Sequence, residues 1–316
     1  MLADAALADA VLADAVGRRT RQGGGARMHV VGVVMHPQRD SAEAVSAILD
    51  WAAERDVRVL GIGAEIERLR CAAEAVAAAE LAARSDLLVS LGGDGTMLRT
   101  MRLADGGRAP VLGVNLGKLG FLAEVDVEEL PAALTAIDSH RYTLEPRLAV
   151  DAAVAGRTFT AFNDVAVVRM PGHGGSAAVA LRVDGRPFVR YAADAVVVST
   201  PTGSTAYSFS AGGPIVSPSV EALLITPAAP HSPFNRGLVL SVADTLTLEV
   251  LAESARLAVE VDGRVLAHVE AGAELALRAR PMAARVVRLG GSSFYERARR
   301  KLRLTGSAEL EPGPSA

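Results

Sequence analysis

Glycine, hydroxyl and acid-amide residues cluster at four places in this chain, with types and spacing that suit contact with a phosphate-bearing ligand. The first cluster is Gly92-Gly93-Asp94-Gly95-Thr96. Three glycines let the backbone approach a bulky group and adopt positive φ, so that successive N–H groups can form a concavity for an anion at a helix N-terminus. A tight turn with an aspartate cap has the same composition, and the loop alone leaves the two readings even. The second cluster is Asn115-Leu116-Gly117-Lys118-Leu119-Gly120-Phe121-Leu122, in which Gly117 and Gly120 permit a compact turn. Phe121 is either a face for an adenine or a core side chain. Arg99 and Lys118 could meet phosphate charge or stay solvated.

Asn163-Asp164 interrupts an apolar run. Burying an unpaired amide and carboxylate in a sheet is costly, so the pair either faces a ligand or sits at an edge or bulge. In the fourth cluster Asp194 and an apolar run to Val198 lead into Ser199-Thr200-Pro201-Thr202-Gly203-Ser204-Thr205-Ala206-Tyr207-Ser208. Its six Ser and Thr hydroxyls supply donors and acceptors for a polar ligand, and Tyr207 adds an aromatic face with a polar tip. Helix capping by Ser204 or Thr205 explains some of these hydroxyls but not so many together.

Regular elements must hold these clusters. From Met28 onward, apolar runs at His29 to Met35, Val57 to Gly61, Asp86 to Leu91 and Pro110 to Val114 alternate with helical periods. One of these is a long alanine-rich helix expected around Ile66 to Ala83, enclosing Cys71. The alternation predicts an α/β, Rossmann-like domain with a parallel sheet covered on both faces. The first two clusters then fall at the carboxyl ends of strands, where ligands of such sheets gather. After about residue 145, short apolar runs with turns, including Asp184-Gly185 and Asp262-Gly263, predict a mainly β, sandwich-like second domain. The expected division is an extension over 1–27, an α/β domain over 28–145, a β-rich domain over 146–304 and a tail over 305–316.

Composition narrows the function classes. With 33 Lys and Arg against 36 Asp and Glu, the chain lacks the electrostatic footprint of a nucleic-acid or acidic-membrane binder. A single cysteine, Cys71, makes neither an internal disulfide nor a zinc site, which fits the cytoplasm. No run approaches the roughly 18 apolar residues of a spanning helix, and the start lacks the order of a signal peptide. His29, His36, His140, His173, His231 and His268 show no metal-ligand spacing. Tyr295 to Leu302 reads as a closing helix with a charged outer face.

Taken together, these segments resemble the NAD kinase family. The resemblance is carried by residues 92–96, the 115–122 loop, Asn163-Asp164, the 199–213 segment and Ile225-Thr226-Pro227 through His231-Ser232, and it covers residues 28–304. The first motif alone is shared with lipid kinases and phosphofructokinases; its combination with the others is what is similar to NAD kinases. The resemblance implies phosphoryl transfer from ATP or polyphosphate, with Mg²⁺, to the 2′-hydroxyl of the adenosine ribose of NAD. It further implies an NAD site in a cleft between the two domains, and a homodimer or homotetramer.

Carried over residue by residue, the resemblance implies that Asp94 is the base and that Asn163 and Asp164 position the dinucleotide. Phe121, Thr202, Thr205, Ala206 and Tyr207 would form the adenine and ribose pocket, with Asp194 at the nicotinamide half and Gly95 also contacting NAD. Gly92, Gly93, Thr96 and Arg99 would take the donor phosphates. Three positions depart from the family. Ala195 stands where glycine usually follows the aspartate, so its backbone must avoid positive φ or carry strain. Asp164 replaces a common glutamate, and Arg236-Gly237 replaces arginine-proline.

Overall fold

A computed structural model describes residues 27–304 apart from 118–119, 171, 173–174, 232–233 and 292. The extension over 1–26, Lys118, Leu119, His173, Ser232 and the tail over 305–316 lie outside the described residues. The chain groups into two units. Unit 1 takes the residues up to Thr100, Arg108–Glu145 and those from Val286 onward; unit 2 takes Met101–Gly107 and Pro146–Arg285.

Unit 1 is a layered α/β structure. Its strands are β1 (Val30–Met35), β2 (Arg58–Ile62), β3 (Glu74–Val76), β4 (Leu87–Gly92), β5 (Val111–Asn115) and β6 (Val125–Asp126). The helices α1 (Ala42–Ala53), α2 (Gly63–Leu69), α3 (Ala78–Leu81), the first part of α4 (Asp94–Ala104) and α5 (Leu130–Asp138) alternate with them. The strands pair in parallel in the order β3-β2-β1-β4-β5, and β6 adds to β5. Every residue of β4 and β5 is buried, the mark of strands covered on both faces. Val31, Val33, Ile48, Trp51, Val89, Leu112 and Leu134 meet in the core. Strand order reverses between β1 and β4, which makes the loop after β4 a topological switch point.

The expected helix over 66–83 does not form. Instead α2 ends at Arg70, which takes a left-handed φ of 53°, and Glu74–Val76 pairs with Leu60–Ile62. Arg58 and Arg84 hold Glu74 at 2.5 and 2.6 Å. An open strand edge beside β2 overrides the alanine propensity, which is a weak prior against tertiary pairing. Cys71 therefore lies in the link between helix and strand, half-buried.

Unit 2 is mainly β: β7 (Thr143–Val154), β8 (Arg157–Ala161), β9 (Asp164–Arg169), β10 (Ala177–Val183), β11 (Arg186–Ala193), β12 (Ala195–Ser199), β13 (Ala222–Ala228), β14 (Leu238–Ser241), β15 (Thr245–Val250), β16 (Leu257–Val261), β17 (Arg264–Val269) and the first part of β18 (Glu274–Arg288), with a short helix α6 (Tyr207–Ser210). One antiparallel sheet runs β14-β13-β12-β9-β16-β17. Antiparallel pairing also joins β11-β10-β15-β18, and β7 with β8. Val150, Val165, Val167, Val179, Val196, Val198, Ile225 and Leu248 from both sets of strands share one core, as in a sandwich. Ala195 starts β12 in register with Val168 and Ala228 and is not among the positive-φ residues, so the missing glycine leaves no strain there.

The chain then returns to unit 1. Residues 286–304, expected with the β-rich domain, group there because Val286 pairs in parallel with Val111 and a last helix, α7 (Phe294–Leu302), follows. Glu124, almost wholly buried, accepts from Arg288 at 2.8 Å and from the Leu289 amide at 2.7 Å, with the Arg297 guanidinium 3.9 Å away.

Candidate active site

In unit 1, β4 delivers Gly92 and Gly93 to the head of α4, where Asp94 is the first helical residue. The amides of Thr96 and Met97 donate to the Gly93 carbonyl at 3.0 and 3.1 Å and close the first turn. The Asp94 carboxylate faces the 115–122 loop: Phe121 N–H donates to Oδ2 and Leu122 N–H to Oδ1, both at 3.1 Å. Gly120 is required by that approach, since a Cβ there would collide with the carboxylate. The loop's other end is tied by Asn115, whose amide donates to the Gly117 carbonyl and to Asp126, each at 2.9 Å. A Cβ at Gly93 or Gly95 would meet nothing within 4 Å, so space stays open beside Asp94.

Other predicted residues of unit 1 are engaged differently. Gly92 leaves room for the buried Thr96 side chain, whose hydroxyl has no partner among the described residues. Arg99 pairs with buried Glu65 and donates to the Met35 carbonyl at 3.2 Å, so its charge is already matched. Phe121 is buried, and the Lys301 ammonium lies 4.5 Å from its ring centre. The same ammonium donates to Asp94 Oδ2 at 2.8 Å.

In unit 2, the corner leading into β9 holds Asn163 and Asp164. Asp262 receives the backbone amides of Phe162, Asn163 and Asp164 at 3.3, 2.8 and 3.3 Å and pairs with Arg102. Asn163 thus spends its backbone on structure and leaves its side-chain amide outside this network. Burial, with the Asp262 charge next in weight, pushes the Asp164 carboxyl up to about 7, although the Tyr207 amide pulls the other way. Near neutral pH Asp164 therefore both donates and accepts. Burial, and then the charges of Glu260, Asp164 and Asp194, also raises the Tyr207 phenol, which places these groups around one another. Asp194 itself pairs with Arg169 at 2.5 Å, with His231 at 3.9 Å.

The hydroxyl-rich segment is used mostly inside the fold. Thr200 donates to the Phe162 carbonyl at 2.5 Å and accepts from Gly203, while Ser204 exchanges hydrogen bonds with Val216 at 3.0 and 3.1 Å. Ser208 bonds to Thr226 at 2.9 Å, and Thr202 accepts from buried Arg147 at 3.2 Å. The hydroxyls read from the sequence as ligand donors are thus largely staples of the turn at 200–208. A Cβ at Gly203 would collide with the Asn163 backbone, so the turn and the Asn163-Asp164 corner are fitted to one another. Thr205 and Tyr207 remain half-exposed on that turn.

Two residues escape a reading of the sequence. Asp262 has the signature of an ordinary Asp-Gly hairpin, and Lys301 that of a solvated charge on a terminal helix.

Comparison with known proteins completes the description. Residues 31–142 match the family described as the ATP-NAD kinase N-terminal domain, and residues 162–289 match the ATP-NAD kinase C-terminal domain. The chain is 37% identical to NAD kinase 1 of Streptomyces avermitilis, with 90% of each chain covered. The chain belongs to the NAD kinase family. It is also 36% identical to an NAD kinase of Moorella thermoacetica over 92% of this chain and 94% of that one. Among solved structures of the family, it is similar to yeast NADH kinase complexed with NADH, with a TM-score of 0.80 and 26% identity over 91% of each chain. An NAD kinase from Archaeoglobus fulgidus in complex with ATP aligns with a TM-score of 0.69 and 26% identity over 88% of this chain and all of that one. Family membership makes this chain an enzyme, a kinase.

Proposed function

We propose that this NAD kinase transfers the terminal phosphoryl group of ATP to the 2′-hydroxyl of the adenosine ribose of NAD, with Asp94 as the base. The observation that carries the assignment is the Asp94 carboxylate, oriented by two loop amides at 3.1 Å and bordered by the open space at Gly93 and Gly95. A ribose hydroxyl is a poor nucleophile, and a carboxylate at hydrogen-bond distance takes its proton as the bond to phosphorus forms. The backbone at Gly93 is assigned to the donor phosphates, with Gly92 and Thr96 shaping the turn behind it, and Gly95 to the NAD side. Matched to Glu65, Arg99 would contribute to phosphate binding only by exchanging partners.

For the dinucleotide, the reading assigns Asn163 and Asp164 to the ribose hydroxyls, because a carboxyl that titrates near neutrality can donate as well as accept. Thr202, Thr205, Ala206 and Tyr207 are assigned to the adenine side and Asp194 to the nicotinamide side, on the resemblance to the family. No three His, Cys, Asp or Glu side chains gather into a metal site among the described residues. Mg²⁺ on the donor phosphates is assigned on the resemblance to the family. When bound, the cation would neutralise charge on the transferring group. Polyphosphate as a second donor and a homodimer or homotetramer follow the resemblance, and a cytoplasmic location follows the single cysteine, Cys71.

The test is NADP formation from NAD and Mg²⁺-ATP by the purified protein beside Asp94→Asn, with polyphosphate as a second donor. Loss of roughly a hundredfold or more in the variant with NAD binding intact supports the base assignment. Full activity in Asp94→Asn would overturn it.

A further inference from the structure

Lys301 is the one cationic side chain among the described residues that contacts the Asp94 carboxylate, with Nζ 2.8 Å from Oδ2. Its helix is anchored. α7 opens on a reciprocal cap between Ser293 and Glu296, and Arg297, four residues before Lys301 and on the same helical face, is buried beside Glu124. The Phe121 ring beneath the ammonium supplies a second contact, at 4.5 Å.

We propose that Lys301 is a positioning residue for phosphoryl transfer, holding the Asp94 carboxylate aimed while substrate phosphates bring negative charge beside it. The inference rests on the reading of Asp94 as the base. Phosphate charge repels a neighbouring carboxylate, and an ammonium in contact offsets that repulsion and keeps the carboxylate in place. The 116–122 loop offers Asp94 the amides of Phe121 and Leu122. Arg39, beyond β1, donates to the Leu116 carbonyl at 3.4 Å, and Arg99 on α4 is paired with Glu65. Near β6, Asp126 accepts from Asn115, and Glu124 is matched by Arg288 and Arg297.

The experiment compares Lys301→Met and Lys301→Arg with Asp94→Asn in the full chain, by steady-state kinetics that separate kcat from KM and by NAD binding. Lys301→Met is expected to lower kcat roughly tenfold or more, with NAD affinity within about twofold. Lys301→Arg should restore most of the rate, because it returns a cation to the carboxylate. A kcat within about twofold of the parent, or a lower kcat with no rescue by arginine, overturns the proposal. If Asp94→Asn stays active, the base reading falls and this inference with it. If Asp94→Asn is dead while Lys301→Met matches the parent, only this inference falls.

Discussion

Asp262 and Asp164 share one buried corner: the Asp262 carboxylate takes the Asp164 backbone amide at 3.3 Å, while its charge adds to burial in raising the Asp164 carboxyl to about 7. One acid therefore organises the backbone of the corner and also adjusts the protonation of its neighbour. Arg102 pairs with Asp262 within a nearly closed environment.

The raised carboxyl makes folding stability depend on pH. Asp164 binds its proton near 3.8 when unfolded and near 7 when folded, so the folded chain holds the extra proton between those values. Its contribution is complete below about pH 4 and is lost as pH rises through about 7. Asp164→Asn removes the titration. Urea unfolding should show the variant more stable at pH 8 by on the order of 2 kcal/mol, with the two proteins converging near pH 4. A difference independent of pH would contradict the assignment.

Asp262→Asn should act on both functions of that acid. Removing the charge lowers the Asp164 carboxyl, yet not to the ordinary range, because burial, the larger cause, remains. The pH dependence of stability between about 4 and 7 should shrink. Arg102 also loses its partner, at a cost of about 2 kcal/mol near neutral pH, reduced because that side chain is partly exposed. Denaturation curves at several pH values check both effects; an unaltered pH slope would separate the two acids.

Gly120→Ala tests how tightly the loop is fitted to Asp94. The added Cβ meets the carboxylate, which must swing away from the Phe121 and Leu122 amides. Activity should fall about a hundredfold, as for a displaced reacting group, with a change in melting temperature of only a few degrees. Near-normal kcat would mean that Asp94 need not keep this orientation.

Ser204→Ala separates a structural hydroxyl from a ligand-binding one. Its hydroxyl bonds to both the amide and the carbonyl of Val216 inside the turn. The change should cost about 1–2 kcal/mol of stability in chemical denaturation and leave the KM for NAD within about twofold. A large rise in KM at unchanged stability would return this hydroxyl to the ligand.

The two Asp-Gly hairpins show where legibility ends. Asp184 and Asp262 both stand at positive φ before glycine, and both turns are readable from the dipeptide. Asp184 stays at the surface and accepts from the Thr245 amide and hydroxyl at 2.9 Å, whereas Asp262 points inward to 162–164. Nothing local distinguishes them. The 66–83 stretch fails for a related reason: its alanine content is local, but the β2 edge that recruits Glu74–Val76 is not.

The sequence by itself determined the family, the change from α/β alternation to short strands, and the placing of Gly92 to Thr96 after a buried strand, because glycine spacing and apolar periodicity are properties of neighbouring residues. Only the tertiary structure decided that Lys301 lies on Asp94, 207 residues away, that Asp262 holds the Asp164 amide across 98 residues, and that the hydroxyls of 200–208 serve the fold. Contacts at such separations depend on how whole elements pack, and a side chain carries no local mark of the partner that packing will bring to it.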